Sequence, residues 1–199
     1  MQEKEKLDIA LLIGSNLKPS FDMSKEIAKN LVTKYDASSI LKNTRFSVIS
    51  YGGEPKLLKP FDRVDSKLSI MELISNLKHQ GGTSDLQKAL KYVRSNVFGD
   101  CTKDEACIVP TKTFIVFTDK PMDETSISLV KQLGESGVKV VVMVVSDALK
   151  KSDVDIQGLN INVQIHGTGD GSDGGVIDNI IDLIETGKLL LRSSGYICL

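Results

Sequence analysis

The sequence predicts an α/β domain with a doubly wound, mostly parallel, six-stranded sheet, one antiparallel edge strand and helices on both faces. Apolar runs of strand length alternate with amphipathic segments of helix length along the whole chain. Consecutive strands that are separated by a helix pair in parallel through crossover connections. One connection is too short for a crossover and indicates a hairpin, which adds the antiparallel edge.

The first half of the chain predicts three strands. Leu7–Ile13 is a nearly continuous apolar run, which is typical of a strand that is covered on both faces. Thr44–Tyr51 alternates apolar and polar residues, and Gly52-Gly53 then turns the chain into Lys56–Phe61. Prolines bound this last segment, so we expect it to form the antiparallel edge strand.

The second half of the chain predicts three further strands, at Thr113–Thr118, Val138–Val145 and Asn160–Ile165. Val138–Val145 is the most β-prone run and is apolar almost throughout. We therefore expect it to lie at the centre of the sheet.

The intervening segments carry apolar residues at helical spacing with polar residues between them. The predicted helices are Ser20–Tyr35, Ser69–Leu77, Ser84–Val97, Glu124–Ser136 and Val176–Leu190. Asp123 and Glu124 are interpreted as the start of a helix, where negative charge favours the helix dipole.

Length and composition favour a single domain over residues 1–199, with its core at about 7–190. A chain of 199 residues with 41% hydrophobic content can bury one substantial core. The net charge of −1 argues against binding to nucleic acid. No apolar run approaches the roughly 20 residues that span a bilayer. Because the chain starts directly before the first strand, we expect a domain that was excised from a larger protein.

The cysteines indicate in which cellular compartment the protein is expected. Cys101 and Cys107 close a short loop between a helix and a strand, which is compatible with a disulfide and an oxidising compartment. Two unpaired thiols are the alternative and would favour the cytoplasm, whereas a zinc site lacks a nearby histidine. Cys198 is either free or paired with a cysteine outside this sequence.

Catalytic patterns find no support, and we predict that the chain is not an enzyme and needs no cofactor. His79 and His166 fall in unrelated loops, which disfavours a catalytic triad. The glycine-rich segment at 167–175 fails the dinucleotide pattern because Ser172 replaces its last glycine. The Ser15 hydroxyl has no base close to it in the sequence.

Polar residues follow two predicted strands and open one helix. They are the loop Gly14–Lys18, Thr83 and Asp119. In a doubly wound sheet, ligands bind outside the carboxyl ends of the strands, so these residues form the candidate site. Oxygen atoms from three loops would suit a hard cation such as Mg²⁺.

The order of these motifs resembles the von Willebrand factor type A domain over the whole chain. The residues that carry the resemblance are Asp8–Ile13, Gly81-Gly82-Thr83 and Phe117-Thr118-Asp119. The resemblance implies a Rossmann-like fold and a metal-ion-dependent adhesion site. In the family this site uses a D-x-S-x-S run after the first strand, a threonine and an aspartate.

Thr83 and Asp119 match this family pattern, but the first loop departs from it. Gly14 stands at the position of the aspartate, and Asn16 and Lys18 stand at those of the two serines. A lysine ammonium about 4 Å from Mg²⁺ would cost roughly 2 kcal/mol even at the dielectric of water. We therefore expect weak or no metal binding, with Asn16, Thr83 and Asp119 as ligands if Mg²⁺ is bound. We further hypothesise that Lys18 neutralises Asp119, and the alternative is a solvent-exposed lysine on this loop.

The resemblance implies an adhesion or protein-interaction module of the extracellular space or cell surface, as in matrix proteins, integrins and thrombospondin-related adhesins of apicomplexans. Its partner would be a protein or glycan of the matrix or a host-cell surface. The expected ligand-binding residues are Ser15, Asn16, Lys18, Thr83 and Asp119. The alternatives are an intracellular scaffold of the same fold and a structural spacer in a multidomain array.

Overall fold

Strands and helices alternate along the computed structural model, which describes residues 7–14, 16–37, 44–61, 66–81, 84–98, 111–147, 161–166 and 173–186. The strands are β1 (Leu7–Ile13), β2 (Thr44–Ser50), β3 (Lys56–Lys59), β4 (Thr111–Thr118), β5 (Lys139–Val145) and β6 (Ile161–His166). The helices are α1 (Lys18–Ala37), α2 (Lys67–Ser75), α3 (Leu86–Val93), α4 (Glu124–Glu135) and α5 (Asp173–Thr186).

One sheet contains all of these strands, in the order β3-β2-β1-β4-β5-β6. The pairs from β2 to β6 across the sheet are parallel, and β3 pairs antiparallel with β2 at one edge. The predicted fold class, a mostly parallel α/β sheet with one antiparallel edge, is confirmed. The domain boundaries at residues 1–199 stay a prediction.

The predicted central position of Val138–Val145 is wrong, because β1 and β4 occupy the middle of the sheet. β5 lies between β4 and the edge strand β6. Its residues from Val140 to Val145 are nevertheless all buried. Helices cover both faces of the sheet, so a strand next to the edge can be as apolar as a central one.

Alternate residues of β1 point into two separate hydrophobic cores. Ile9, Leu11 and Ile13 pack in the core that also contains the buried faces of α1, α2 and α5. Ala10 and Leu12 pack in the opposite core, with α3 and α4. This two-sided burial explains why the strand is apolar without alternation. It also places the end of β1 firmly between two helical layers.

Several helix boundaries differ from the sequence prediction by two residues or more. α1 begins at Lys18, two residues before the predicted start. α3 ends at Val93 and continues as a π-helical turn, Arg94–Phe98, where one continuous helix was predicted. The start of α4 agrees with the prediction, since the side chain of Asp123 caps it by accepting a hydrogen bond from the backbone N–H of Ser126.

None of the helices in the described part of the chain combines the length and the apolar character that a membrane span requires.

An ion pair joins the first two parallel strands at their amino ends. Asp8 and Arg45 face each other in the β1–β2 register. Arg45 donates to both carboxylate oxygens of Asp8, from Nε and Nη2, at 2.7 Å each. Asp8 is buried, and this two-pronged contact compensates the cost of removing its charge from water.

We expect Arg45→Ala to lower the free energy of unfolding by about 2 kcal/mol, because it leaves the buried carboxylate of Asp8 without its partner. Urea unfolding at pH 7 measures the change. The control is Lys131→Ala, which removes an exposed cation from α4 and should change stability by no more than about 0.5 kcal/mol. Equal effects of the two substitutions would contradict the structural role of the pair.

Candidate functional site

The candidate site lies where the two central strands end. β1 and β4 are adjacent and parallel, so the loop after β1 and the loop after β4 meet at the carboxyl edge of the sheet. The segment that precedes α3 reaches the same place. The structure thereby brings together three side chains from distant parts of the sequence, Asn16, Ser84 and Asp119.

The side-chain amide of Asn16 links the three segments. Its Nδ2 donates to Oδ1 of Asp119 at 2.8 Å. Its Oδ1 accepts from the backbone N–H of Ser84 at 2.8 Å and from the Ser84 hydroxyl at 3.1 Å. A carboxylate can only accept and a backbone N–H can only donate, so these partners determine which way the amide points.

Asp119 is buried, with 7% of its surface exposed, and both of its carboxylate oxygens accept hydrogen bonds. Oδ1 accepts from Asn16, and Oδ2 accepts from the backbone N–H of Leu17 at 2.7 Å. Bonds of this kind to an ionised acceptor are shorter and stronger than neutral ones. They stabilise a buried negative charge and hold the β1–α1 loop against the end of β4.

Tyr51 fills the space beside Gly14, the position at which the family pattern has an aspartate. A Cβ atom at Gly14 would lie 2.2 Å from the backbone oxygen of Tyr51 and 2.4 Å from its ring carbon Cδ1. The ring is buried, and its hydroxyl donates to the backbone oxygen of Phe117 at 2.7 Å. Burial and, to a smaller degree, the charge of Asp119 raise the pKa of Tyr51, so the hydroxyl stays protonated and keeps donating.

The predicted pairing of Lys18 with Asp119 is wrong. The Lys18 ammonium forms an ion pair with Asp22 at 2.6 Å, and both side chains are more than half exposed. The reason is that α1 begins at Lys18, so Asp22 lies one turn further along the same helix face. The two oxygens of Asp119 bond instead to the amide of Asn16 and the backbone of Leu17.

Several predicted residues cannot be placed in this arrangement. Ser15 and Thr83 lie outside the described residues, as do Cys101, Cys107 and Cys198. Within the described ranges, no three His, Cys, Asp or Glu side chains gather as possible metal ligands.

Ser84 and Tyr51 belong to this site, although the sequence motifs did not indicate them. Ser84 adjoins the predicted Thr83, and its backbone N–H takes part in the network, a role that no side-chain motif reveals. For Tyr51 a signal existed in the strand register. Ile13 pairs with Ser50, so the next residues, Gly14 and Tyr51, lie side by side, and a small residue faces a large one.

A shallow cleft of about 290 Å³ adjoins the site on the side of α3 and α4. Its lining residues come from the start of α3, the loop after β4 and the start of α4. They are Ser84, Asp85, Leu86, Gln87, Lys120, Pro121, Met122, Asp123 and Ser126. Gln87 Nε2 donates to Oδ2 of Asp123 at 2.6 Å and joins the two helix starts across the cleft.

An open, doubly wound sheet with polar loops at the ends of its two central strands defines an α/β fold class in which ligands bind at that edge. The family model for the von Willebrand factor type A domain matches residues 8–163. The chain belongs to this family. Its members in matrix proteins bind protein ligands and are generally non-enzymatic.

Two curated proteins are similar in sequence. The collagen alpha-1(XII) chain of Notophthalmus viridescens is 23% identical over 150 residues, which is 73% of this chain and 16% of that protein. The von Willebrand factor A domain-containing protein 2 of Xenopus laevis is 36% identical over 90 residues, which is 44% of this chain and 11% of that protein. The chain thus corresponds to a small part of each relative's length.

Solved structures of low sequence identity share the fold. Proximal thread matrix protein 1 from the mussel byssus has a TM-score of 0.69 at 18% identity, over 90% of this chain and 48% of that one. Another structure of the same protein has a zinc-occupied adhesion-site motif. Its TM-score is 0.63 at 18% identity, over 92% of this chain and 44% of that one. An aerotolerance-related membrane protein from Bacteroides fragilis has a TM-score of 0.56 at 17% identity, over 90% of this chain and 98% of that one.

We expect Gly14→Ala to lower the free energy of unfolding by about 2 to 3 kcal/mol, because the new methyl group overlaps the backbone and ring of Tyr51. The matched control is Gly53→Ala, where a Cβ would meet no atom within 4 Å. That variant should remain within about 0.5 kcal/mol of the parent. Urea unfolding compares the two, and a Gly14→Ala variant as stable as Gly53→Ala would contradict the packing.

Asp123 offers a test that depends on pH. The hydrogen bond from the Ser126 backbone, followed by that from Gln87, lowers the pKa of Asp123 below its ordinary value of 3.8. A lowered pKa in the folded state stabilises the protein above the unfolded value, and this contribution is lost as the pH falls through the folded value.

We therefore expect Asp123→Ala to cost about 1 kcal/mol at pH 7, with a smaller cost below about pH 4. The control is Ser66→Ala, which removes the uncharged cap of α2, a hydroxyl that accepts from Ser69 N. Its cost should not vary with pH. Thermal unfolding at several pH values measures both, and parallel profiles for the two variants would contradict the assignment.

Proposed function

We propose that this chain is a non-enzymatic adhesion or protein-interaction module that binds a protein or glycan ligand through the loops at the carboxyl edge of its sheet. We further propose that binding depends weakly or not at all on a divalent cation. The observation that carries this proposal is the bridge from Asn16 to Asp119 and Ser84. This bridge connects the three segments by hydrogen bonds of one neutral side chain.

The groups around Asn16 and Asp119 are arranged for hydrogen bonds to an amide and not for coordination of a divalent cation. Mg²⁺ requires oxygen ligands in a nearly octahedral arrangement. Both oxygens of Asp119 and the oxygen of Asn16 already accept hydrogen bonds, and Asn16 directs an N–H group at the carboxylate. A cation would have to displace that group, and Tyr51 excludes a further carboxylate at Gly14.

The exposed side chains beside the bridge would contact the ligand. Leu17 has 58% of its surface exposed, although it is a large apolar residue, and Lys18 next to it is also exposed. Asn16 uses one N–H for Asp119, and in the described part of the chain its other N–H has no hydrogen-bond partner. We propose that Leu17 and Lys18 contact the ligand and that Asp119 positions the loop. Ser15 and Thr83 remain proposed contacts.

Without an ion at these loops, the chain would also lack a conformational change that is driven by completion of a metal shell. A ligand shifts a protein between two states only when it binds them with different affinities. A ligand carboxylate that completes a metal shell provides such a difference, whereas a bridge that is already complete does not. We therefore propose a single resting conformation without a Mg²⁺-dependent change.

We propose an extracellular or cell-surface location, which the two matrix-type relatives in the comparison support. A disulfide between Cys101 and Cys107 belongs to this proposal. Titration of free thiols in non-reduced protein should find only Cys198. Three titratable cysteines would indicate the intracellular scaffold instead.

The proposal predicts how binding responds to cation removal. We would measure binding to an array of purified matrix proteins and glycans, with Mg²⁺ and with EDTA, and expect equal signals. Asn16→Ala, which removes the bridge, should reduce binding at least about fivefold. The matched control is Asn96→Ala, which removes an exposed amide whose Nδ2 donates to the backbone oxygen of Tyr92.

Loss of binding in EDTA would contradict the proposal. So would calorimetric binding of Mg²⁺ or Mn²⁺ tighter than about 100 μM. Equal binding by Asn16→Ala and the parent would show that the ligand uses another surface.

A further inference from the structure

A second cleft lies on the helical face of the molecule, away from the carboxyl edge. It has a volume of about 340 Å³ and is lined by Lys91, Arg94, Ser95 and Leu129. α3 and α4 both start at the carboxyl edge and run towards the opposite edge. Lys91 to Ser95 come from the far end of α3 and its π-helical turn, and Leu129 comes from the middle of α4.

The cleft carries two positive charges that no described carboxylate neutralises. Lys91 and Arg94 are three residues apart, both are exposed, and neither forms an ion pair within the described ranges. Arg94 donates from Nη1 to the side-chain oxygen of Gln132, which is a neutral acceptor. Lys88, one turn earlier on α3, pairs by contrast with Glu54.

The local backbone adds a hydroxyl and an apolar floor to these charges. The π-helical turn begins at Arg94 and includes Ser95, whose side chain is exposed at the cleft. A π-helical turn contains more residues than an α-helical turn, and such turns are frequent at functional sites. Leu129 is buried among the core residues of α4 and provides the floor.

We propose that this cleft binds the carboxylate of an aspartate or glutamate side chain of a protein partner. The guanidinium group of Arg94 keeps N–H donors beyond the one that Gln132 uses, and Lys91 adds a charge one helical turn away. The methylene groups of the acidic side chain would rest on Leu129. This surface is separate from the carboxyl-edge site and does not depend on the function proposed there.

A short acidic segment fits this cleft better than a polyanion does. A sulfated polysaccharide or a nucleic acid needs a row of cations along its length, and this cleft offers two. The chain as a whole has a net charge of −1, so no general positive field attracts a polyanion. A cleft of about 340 Å³ has room for one or two side chains.

The test is an ¹⁵N NMR titration with a blocked peptide that carries two glutamates between leucines. We expect saturable shifts at the amides of Lys91, Arg94 and Ser95, and none with the same peptide carrying glutamines. The double substitution Lys91→Gln with Arg94→Gln should weaken binding at least about tenfold. Lys131→Gln, on the exposed side of α4, should change it less than about twofold.

The absence of saturable shifts at these amides would overturn the proposal, and so would equal affinity of the double variant. A heparin tetrasaccharide that shifts the same amides at lower concentration than the peptide would assign the cleft to a polyanion instead. Circular dichroism and thermal unfolding verify that the variants fold. Leu17→Ser should leave peptide binding unchanged, so failure here is distinguishable from failure of the carboxyl-edge site.

Discussion

The contact on which the candidate site depends is the hydrogen bond from the Asn16 amide to the buried carboxylate of Asp119. A buried carboxylate is costly unless groups with positive charge or N–H donors surround it. Here an amide and a backbone N–H, that of Leu17, take this role. The same amide accepts from Ser84 with its other end, so one neutral side chain joins three loops.

An amide and a cation differ in what they offer to a ligand. A divalent ion attracts a carboxylate strongly, because the attraction is proportional to the charge and the ion carries two full positive charges. An amide N–H has only a partial charge, so its preference among carboxylate, carbonyl and hydroxyl oxygens is weaker. In the function proposed above, recognition at this edge would then rely more on the shape and apolar contact that Leu17 provides than on the ligand's charge.

Most of the fold could be predicted because the pattern of apolar residues reflects burial directly. β1, β4 and β5 each contain a continuous apolar run because both of their faces are covered. The helices show one apolar side each. The lateral position of β5 could not be predicted, because burial on both faces does not depend on the place in the sheet. The motif order also located Asn16 and Asp119 correctly at one edge.

The details of the site depended on contacts that a linear motif does not contain. The motif placed Lys18 in the site, but a one-turn spacing to Asp22 and the early start of α1 direct it to solvent. The motif also treated Gly14 as a missing ligand. The structure shows a second consequence of the glycine, since its lack of a side chain leaves the space that Tyr51 fills.

The pairing of Gly14 with Tyr51 makes the departure from the family pattern a property of several residues together. An aspartate at position 14 would have no room while the ring and backbone of Tyr51 stay in place. Tyr51 in turn is held by its bond to the end of β4 through Phe117. An aspartate at position 14 would therefore require coordinated changes in the ends of β1, β2 and β4. A single substitution at Gly14 would consequently not be enough to produce the family's aspartate pattern at this edge.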